Sequence, residues 1–219
     1  MAYGVKRKLR KALLSGALIF CSFAVAAEPV IIAALGDSLT QGYGLPEQDG
    51  FVPQLQRWLQ DQGAEVHLIN AGVSGDTTAG GAARVNWTLT PEVDAMIVAL
   101  GGNDLLRGID PDVSRANLEM ILSAADAANI EVLLIGMQAP GNYGIEYKQS
   151  FDTIYPELAQ QFGTLYVDSF FSGLAADGDP QAARQYMQPD GIHPNARGVA
   201  LIVDMLGPSV ISLADRVGG

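Results

Sequence analysis

Cysteine and histidine are nearly absent from this sequence: one of the first, Cys21, and two of the second, His67 and His193. A lone cysteine forms no internal disulfide, so the fold has to be held by its apolar core. Two separated histidines without cysteine partners do not make a zinc site, and no metal is expected. The phosphate-cradling patterns G-x-x-x-x-G-K-[ST] and G-x-G-x-x-G are missing as well, which removes the common nucleotide sites. No cofactor is expected. Nor is there a G-x-S-x-G elbow, so the usual α/β-hydrolase placement of a nucleophilic serine does not apply. Positive charge is scarce: 13 Lys and Arg face 24 Asp and Glu, a net charge of −11. Such a chain is repelled by nucleic acid and by anionic membrane surfaces, which leaves small molecules as the expected partners. Repeats, low-complexity tracts and Pro/Ser-rich linkers are also lacking.

What basic charge there is collects at the start. Lys6, Arg7, Lys8, Arg10 and Lys11 precede an uncharged apolar run, Ala12 to Val25, and Ala24-Val25-Ala26-Ala27 offers small residues for cleavage. This is the layout of a secretory signal peptide over residues 1–27, cut after Ala26 or Ala27. The run falls short of the roughly 18 to 20 apolar residues that span a bilayer, which argues against an anchor. Phe20, just before Cys21, is not the small residue that lipidation needs. Cleavage would leave 8 basic against 24 acidic residues, a net charge of −16, and no cysteine. Apolar residues make up 48% of the chain and charged ones 17%, enough for one ordinary domain over 28–219 with a real core. A periplasmic or secreted monomer is expected.

From Val30 onward, short apolar runs alternate with helical periodicity. The runs are Val30 to Leu35, Val66 to Ile69, Ala95 to Leu100, Val132 to Ile135 and Leu165 to Val167. Between them Phe51, Leu55, Trp58 and Leu59 repeat at helical spacing, and Pro111 to Asn129 reads as a helix with proline in its first turn. Residues 77–89 carry only a weak helical pattern. Tyr147, Phe151, Ile154, Tyr155, Leu158 and Phe162 step by three and four, with Pro156 expected to kink that helix or start a new one. Val199, Ile202, Val203 and Leu206 mark a last helix, disturbed by Pro208. Continuous apolar strands alternating with helices imply an α/β fold: about five parallel strands with helices on both faces. In such sheets ligands bind beyond the carboxyl ends of the strands. Those ends here read Gly36-Asp37-Ser38, Asn70-Ala71-Gly72, Gly101-Gly102-Asn103-Asp104 and Gln138-Ala139-Pro140.

Chemistry at that edge starts from histidine. His67 lies within the second strand and reads as structural. His193 lies in Asp190-Gly191-Ile192-His193-Pro194, with Pro194 expected to open the last helix. A carboxylate three residues back can fold onto the imidazole, fix its tautomer and leave the other nitrogen free to take a proton. Ser38 follows a strand and a glycine, so its hydroxyl can project at the edge. Taken alone it reads better as a turn residue or helix cap. As a nucleophile it needs a base, and His193 is the one credible base. Ser74-Gly75-Asp76-Thr77 offers an unobstructed backbone N–H, and Asn103 offers a side-chain amide. Either could meet an oxyanion, and either could be ordinary loop chemistry. The pairs Asp37/Asp190 and Asp104/Asp190 could serve as a glycosidase dyad only if folding set them at the right separation.

These residues together resemble a known family. Gly36-Asp37-Ser38-Leu39, Gly75, Asn103 in Gly101-Gly102-Asn103-Asp104, and Asp190 with His193 are similar, in order, to the motifs of the GDSL esterases, also called SGNH hydrolases. Asn142-Tyr143-Gly144, Ile154-Tyr155-Pro156 and Met187 through Asn195 look like the bacterial acyl-CoA thioesterase I group, whose members are also described as lysophospholipases and arylesterases and are typically periplasmic. The resemblance runs from about Ile32 to Leu206. It implies a three-layer α/β/α domain of flavodoxin-like type over 28–219. It implies Ser38, Asp190 and His193 as catalytic residues, and Ser38, Gly75 and Asn103 as the oxyanion hole. It implies cleavage of acyl esters and thioesters through an acyl-enzyme, without metal or cofactor. A carbohydrate or peptidoglycan O-deacetylase would use the same residues with a shorter pocket, and a silent binding module could keep the fold without turnover. Leu105, Leu106, Tyr143 and Ile145 could line an acyl groove or could be packing.

Overall fold

Five strands form one parallel sheet in the order β2-β1-β3-β4-β5. The structure, a computed structural model, describes Met1, residues 28–174 and residues 183–217. The expected signal peptide, with Cys21 and its cleavage site, lies outside the described residues apart from Met1. The strands are β1 (Val30–Gly36), β2 (Val66–Gly72), β3 (Ala95–Ala99), β4 (Glu131–Ile135) and β5 (Leu165–Val167). Central β3 is buried at every position, and β1 and β4 are buried beyond their first residues, as continuous apolar runs require. The outer strands β2 and β5 are partly exposed. Gln56 covers the free edge of β2: its Nε2 donates to Val66 O at 2.8 Å and its Oε1 accepts from Leu68 N at 2.8 Å. One side chain thus imitates a neighbouring strand and blunts an edge that would otherwise template pairing.

The helices whose full extent is described surround the sheet: α1 (Ser38–Gln41), α2 (Phe51–Asp61), α3 (Thr78–Thr88), α4 (Gly102–Arg107), α5 (Pro111–Ala127), α6 (Ile145–Asp152), α7 (Ile154–Phe162) and α8 (Ala196–Val217). α2 packs on α8, while α3, α5 and α7 pack in a row. The strand order explains the partition. The chain steps outward from β1 to β2 and then returns past β1 to β3. Right-handed crossovers in opposite directions put their helices on opposite faces. α2 buries Phe51, Leu55 and Leu59, which its sequence spacing marked, with Val52 beside them, while Trp58 is half-buried.

Proline acts differently at two positions. The periodic stretch around Pro156 divides at Thr153 into α6 and α7. Pro156 then falls in the first turn of α7, where an amide would lack an intrahelical partner in any case. Pro208, expected to disturb the last helix, does not interrupt it, and α8 runs through to Val217. Both Pro208 and Asp204, whose carbonyl loses the bond, are exposed, so water can replace the missing donor. The buried residues of α8, among them Ile202, Leu206, Val210 and Leu213, hold the helix from the other side.

The same reversal of strand order places the site. Loops after β1 and β3 leave in opposite directions and open a crevice between them at the carboxyl edge. Gly36 is paired with both Gly72 and Ala99, so the ends of β1, β2 and β3 are level. The segments that follow them carry Ser38, Gly75 and Asn103.

Candidate active site

Ser38 is the first residue of α1, separated from the end of β1 by Asp37 alone. The cap of that helix is Asp37, whose Oδ1 accepts the Leu39 N–H at 3.0 Å. Ser38 is therefore not spent as a cap, and its own N–H belongs to a first helical turn, where amides have no intrahelical partner. Asp37 is 1% exposed, and burial raises its carboxyl from 3.8 to about 6 despite the bonds from Leu39 and Asn103 that favour the charge.

The loop from Asp190 to Pro194 is organised locally. Asp190 Oδ1 accepts the N–H groups of Ile192 (2.9 Å) and His193 (3.0 Å), and its Oδ2 lies 2.7 Å from His193 Nδ1. The His193 bond, followed by the two amides, lowers the Asp190 carboxyl from 3.8 to about 2. Gly191, at φ +69°, makes the turn between them. Pro194 does not open the last helix, as its position suggested. α8 begins at Ala196, and Asn195 caps it: its Oδ1 accepts from Arg197 N and Gly198 N, both at 3.1 Å. Pro194 instead forms an antiparallel bridge with Met187, closing the loop at its base.

Across the crevice His193 Nε2 lies 2.8 Å from Ser38 Oγ, joining residues 155 apart in sequence. The Tyr43 ring sits over the imidazole with centroids 4.7 Å apart. Gln188 Nε2 donates to both Tyr43 O (2.9 Å) and Pro194 O (3.0 Å), tying the segment after α1 to the His193 loop.

Gly75 has φ +86°, a conformation that favours glycine. Asn103, for which ordinary loop chemistry was the alternative reading, lies in the first turn of the short helix α4. Its Nδ2 donates to Asp76 O at 2.9 Å and, at a longer 3.3 Å, to Asp37 Oδ2. The next residue, Asp104, is 1% exposed and accepts from Thr78 N (2.9 Å), Thr78 Oγ1 (2.6 Å) and Ser114 Oγ (3.0 Å), while Asn117 Nδ2 donates to Thr78 Oγ1 at 3.0 Å. This buried network locks α4 against α3 and α5 and so sets the position of Asn103. The three aspartates imagined as glycosidase dyads are each committed elsewhere: Asp37 to the α1 cap, Asp104 to this network and Asp190 to His193.

Ser38, Gly75, Asn103 and His193 share one cavity of about 650 Å³. Its remaining wall is mostly apolar, with Leu105, Leu106, Met137, Tyr143 and Phe171 prominent. Ile145 is exposed and outside that lining, so it takes no part in a groove. His67 lies on β2 in a separate hollow beside Gln56 and Asn70. Among the described residues, no cluster of three or more His, Cys, Asp and Glu side chains could hold a metal ion.

Several positions around the site escaped the sequence reading: Asp37 as cap and Asn103 partner, Tyr43, Gln188, and Arg84 of α3, whose guanidinium bonds Asp76, Ala71 O and Gly36 O. Arg84 had a signal, being the one charged residue between Asp76 and Glu92. The others depend on contacts between distant segments.

The chain is 36% identical over 203 residues to Esterase TesA of Pseudomonas aeruginosa, covering 92% of this chain and 98% of that one. It is 34% identical over 200 residues to Thioesterase 1/protease 1/lysophospholipase L1 of Escherichia coli, covering 91% of each. Among solved structures, AlinE4, an SGNH-hydrolase family esterase, superposes with a TM-score of 0.69 at 41% identity, over 85% of this chain and 97% of that one. Residues 34–201, which span every position placed around the cavity, match the family model described as GDSL-like Lipase/Acylhydrolase. With that match covering most of its length, the chain belongs to the GDSL-like lipase/acylhydrolase family, the SGNH hydrolases.

Proposed function

We propose that this chain is a serine hydrolase that cleaves acyl esters and thioesters through an acyl-enzyme on Ser38. The observation that carries the reading is the line of hydrogen bonds from Asp190 through His193 to Ser38, at 2.7 and 2.8 Å, opening onto an apolar cavity. The imidazole takes the Ser38 proton as Oγ attacks the acyl carbonyl. The former carbonyl oxygen gains negative charge, facing the Ser38 and Gly75 amides and the Asn103 side chain. Asn103 is oriented by its short bond to Asp76 O, and the hydrogen on the longer contact to Asp37 is the one an oxyanion would draw. Protonated His193 returns its proton to the leaving alkoxide, while a thiolate departs with less help. Water, deprotonated by the same imidazole, attacks the acyl-enzyme, and the imidazolium then returns the proton to Ser38 Oγ as the acid departs. Asp190 holds the tautomer and stabilises the imidazolium.

The names of the relatives, esterase in one case and thioesterase and lysophospholipase in another, support the bond class. The size and apolar lining of the cavity support acyl chains longer than acetyl, against the O-deacetylase alternative. The basic and apolar start of the chain supports export to the periplasm or beyond.

The test is turnover of p-nitrophenyl acyl esters, with labelling by a fluorophosphonate. Ser38→Ala and His193→Ala are expected to lose about 10⁴-fold or more in kcat, and Ser38→Ala to resist labelling. Turnover like the wild type in either variant would end the reading. An acyl-length series on paired esters and thioesters then resolves the chain preference, and turnover confined to acetyl esters would favour the deacetylase.

A further inference from the structure

The mechanism above leaves one half-buried cation beside the site unused. Arg84 lies on α3 and does not line the cavity. Its guanidinium makes three bonds: Nε to Asp76 Oδ2 at 2.6 Å, Nη1 to Ala71 O at 2.7 Å and Nη2 to Gly36 O at 2.8 Å. Each acceptor adjoins a segment that carries an oxyanion donor. Gly36 stands two residues before Ser38. Ala71 stands near the end of β2, from which the chain enters Ser74-Gly75. Asp76 follows Gly75, and its carbonyl receives the Asn103 amide at 2.9 Å.

We infer that Arg84 is a positioning residue for acyl hydrolysis: one guanidinium fixes the relative placement of the Ser38 N–H, the Gly75 N–H and the Asn103 amide. This rests on the serine hydrolase reading and deepens it. Arginine suits the task because its planar fork serves acceptors in several directions, while lysine presents a single nitrogen. The surroundings make room for it. A Cβ at Gly80 would fall 2.5 Å from Asp76 Oδ1, so glycine in the first turn of α3 leaves space for the carboxylate that Arg84 holds. On its other side the Gly75 segment is held by exposed bonds, from Arg107 Nη2 to Gly75 O at 2.8 Å and from Ser74 Oγ to Gln41 Oε1 at 3.0 Å. Donors aimed in advance at a developing charge are effective because they need not move during reaction, so loosening their common anchor weakens the transition state more than the bound substrate.

The experiment compares Arg84→Met and Arg84→Lys with wild type in the full chain. It measures kcat and KM on p-nitrophenyl butyrate, the rate of Ser38 labelling by a fluorophosphonate, and Tm. Arg216→Met is the control. It removes bonds to Glu131 (3.3 Å) and Gly163 O (3.0 Å) at the opposite end of the strands, and it should leave kcat unchanged. Arg84→Met is expected to lower kcat about tenfold to a hundredfold, with KM within about twofold and labelling slowed in parallel. Arg84→Lys, which keeps the charge and can reach fewer acceptors, is expected to fall between Arg84→Met and wild type. If Arg84→Met does not fold, Arg84→Lys and Asp76→Asn carry the same measurement, each with a several-fold loss of kcat. A folded variant whose kcat and labelling rate stay within about twofold of wild type, even with a lowered Tm, makes Arg84 merely structural and overturns the inference. Wild type that resists labelling would instead sink the hydrolase reading itself.

Discussion

The two halves of the site are held by opposite means. The acid–base loop is a local construction: Asp190 binds the two amides and the imidazole that follow it within three residues, and its side chain remains 37% exposed. The proposed oxyanion side is a long-range construction. Asp37, Asp104, Thr78 and Ser114 are buried there, and Arg84 joins segments up to 48 residues apart. The difference teaches where damage should appear. A change in the exposed loop should cost chemistry and little stability, because water replaces what is lost. A change in the buried network should cost stability, because the abandoned partners stay dry.

Asp190→Asn makes the sharpest test of the first half. Its kcat is expected to fall by about a thousandfold or more, since the imidazole loses its tautomer and its counter-charge. Thermal melting should stay close to wild type, and a large drop in Tm would break the contrast. Asp104→Ala is the counterpart. It strands the Thr78 and Ser114 groups in the interior and is expected to cost about 3 to 4 kcal/mol in urea unfolding. An unfolding midpoint like the wild type would mean the network is not what fixes α4.

Asp37 sharpens the comparison by pH. Its carboxyl is raised by burial to about 6 from 3.8, so the folded state prefers the proton. The resulting stabilisation is complete below about 3.8 and is lost as pH rises through about 6, a span of at most about 3 kcal/mol. Asp37→Asn cannot ionise, so the slope of its stability between pH 4 and 6.5 is expected to flatten relative to wild type. Parallel slopes in urea titrations of the two proteins would contradict it. The smallest effect belongs to Leu106, 58% exposed on the cavity wall. Leu106→Ala should change unfolding by no more than about 0.5 kcal/mol while raising KM for long acyl esters and leaving short ones alone. Equal effects on both chain lengths would remove Leu106 from the acyl path.

The same contrast explains what could be read in the chain. Continuous apolar runs announced buried parallel strands, because burial on both faces leaves no polar positions to alternate with. Asp190 and His193 were legible because three residues and a glycine suffice to bring them together. The end of Pro194 as a helix opener was not legible: Asn195 competes for the same role, and its side chain wins by taking two amides. Pro208 misled because exposure, a tertiary fact, decides whether its missing donor matters. Leu105 and Leu106 were open between groove and packing, and the fold makes both line the cavity while Ile145 stays outside.

By itself, then, the sequence determined the α/β alternation, the chemistry crowded at the strand ends and the acid–base turn, since each depends on neighbours along the chain. Only the tertiary structure decided that His193 reaches Ser38, that Asn103 leans on Asp76 and Asp37, and that one arginine spans the ends of β1 and β2. Those contacts join segments whose separation is set by strand order. The reversal at β1 brings them to one crevice, and no local pattern of residue types encodes that distance.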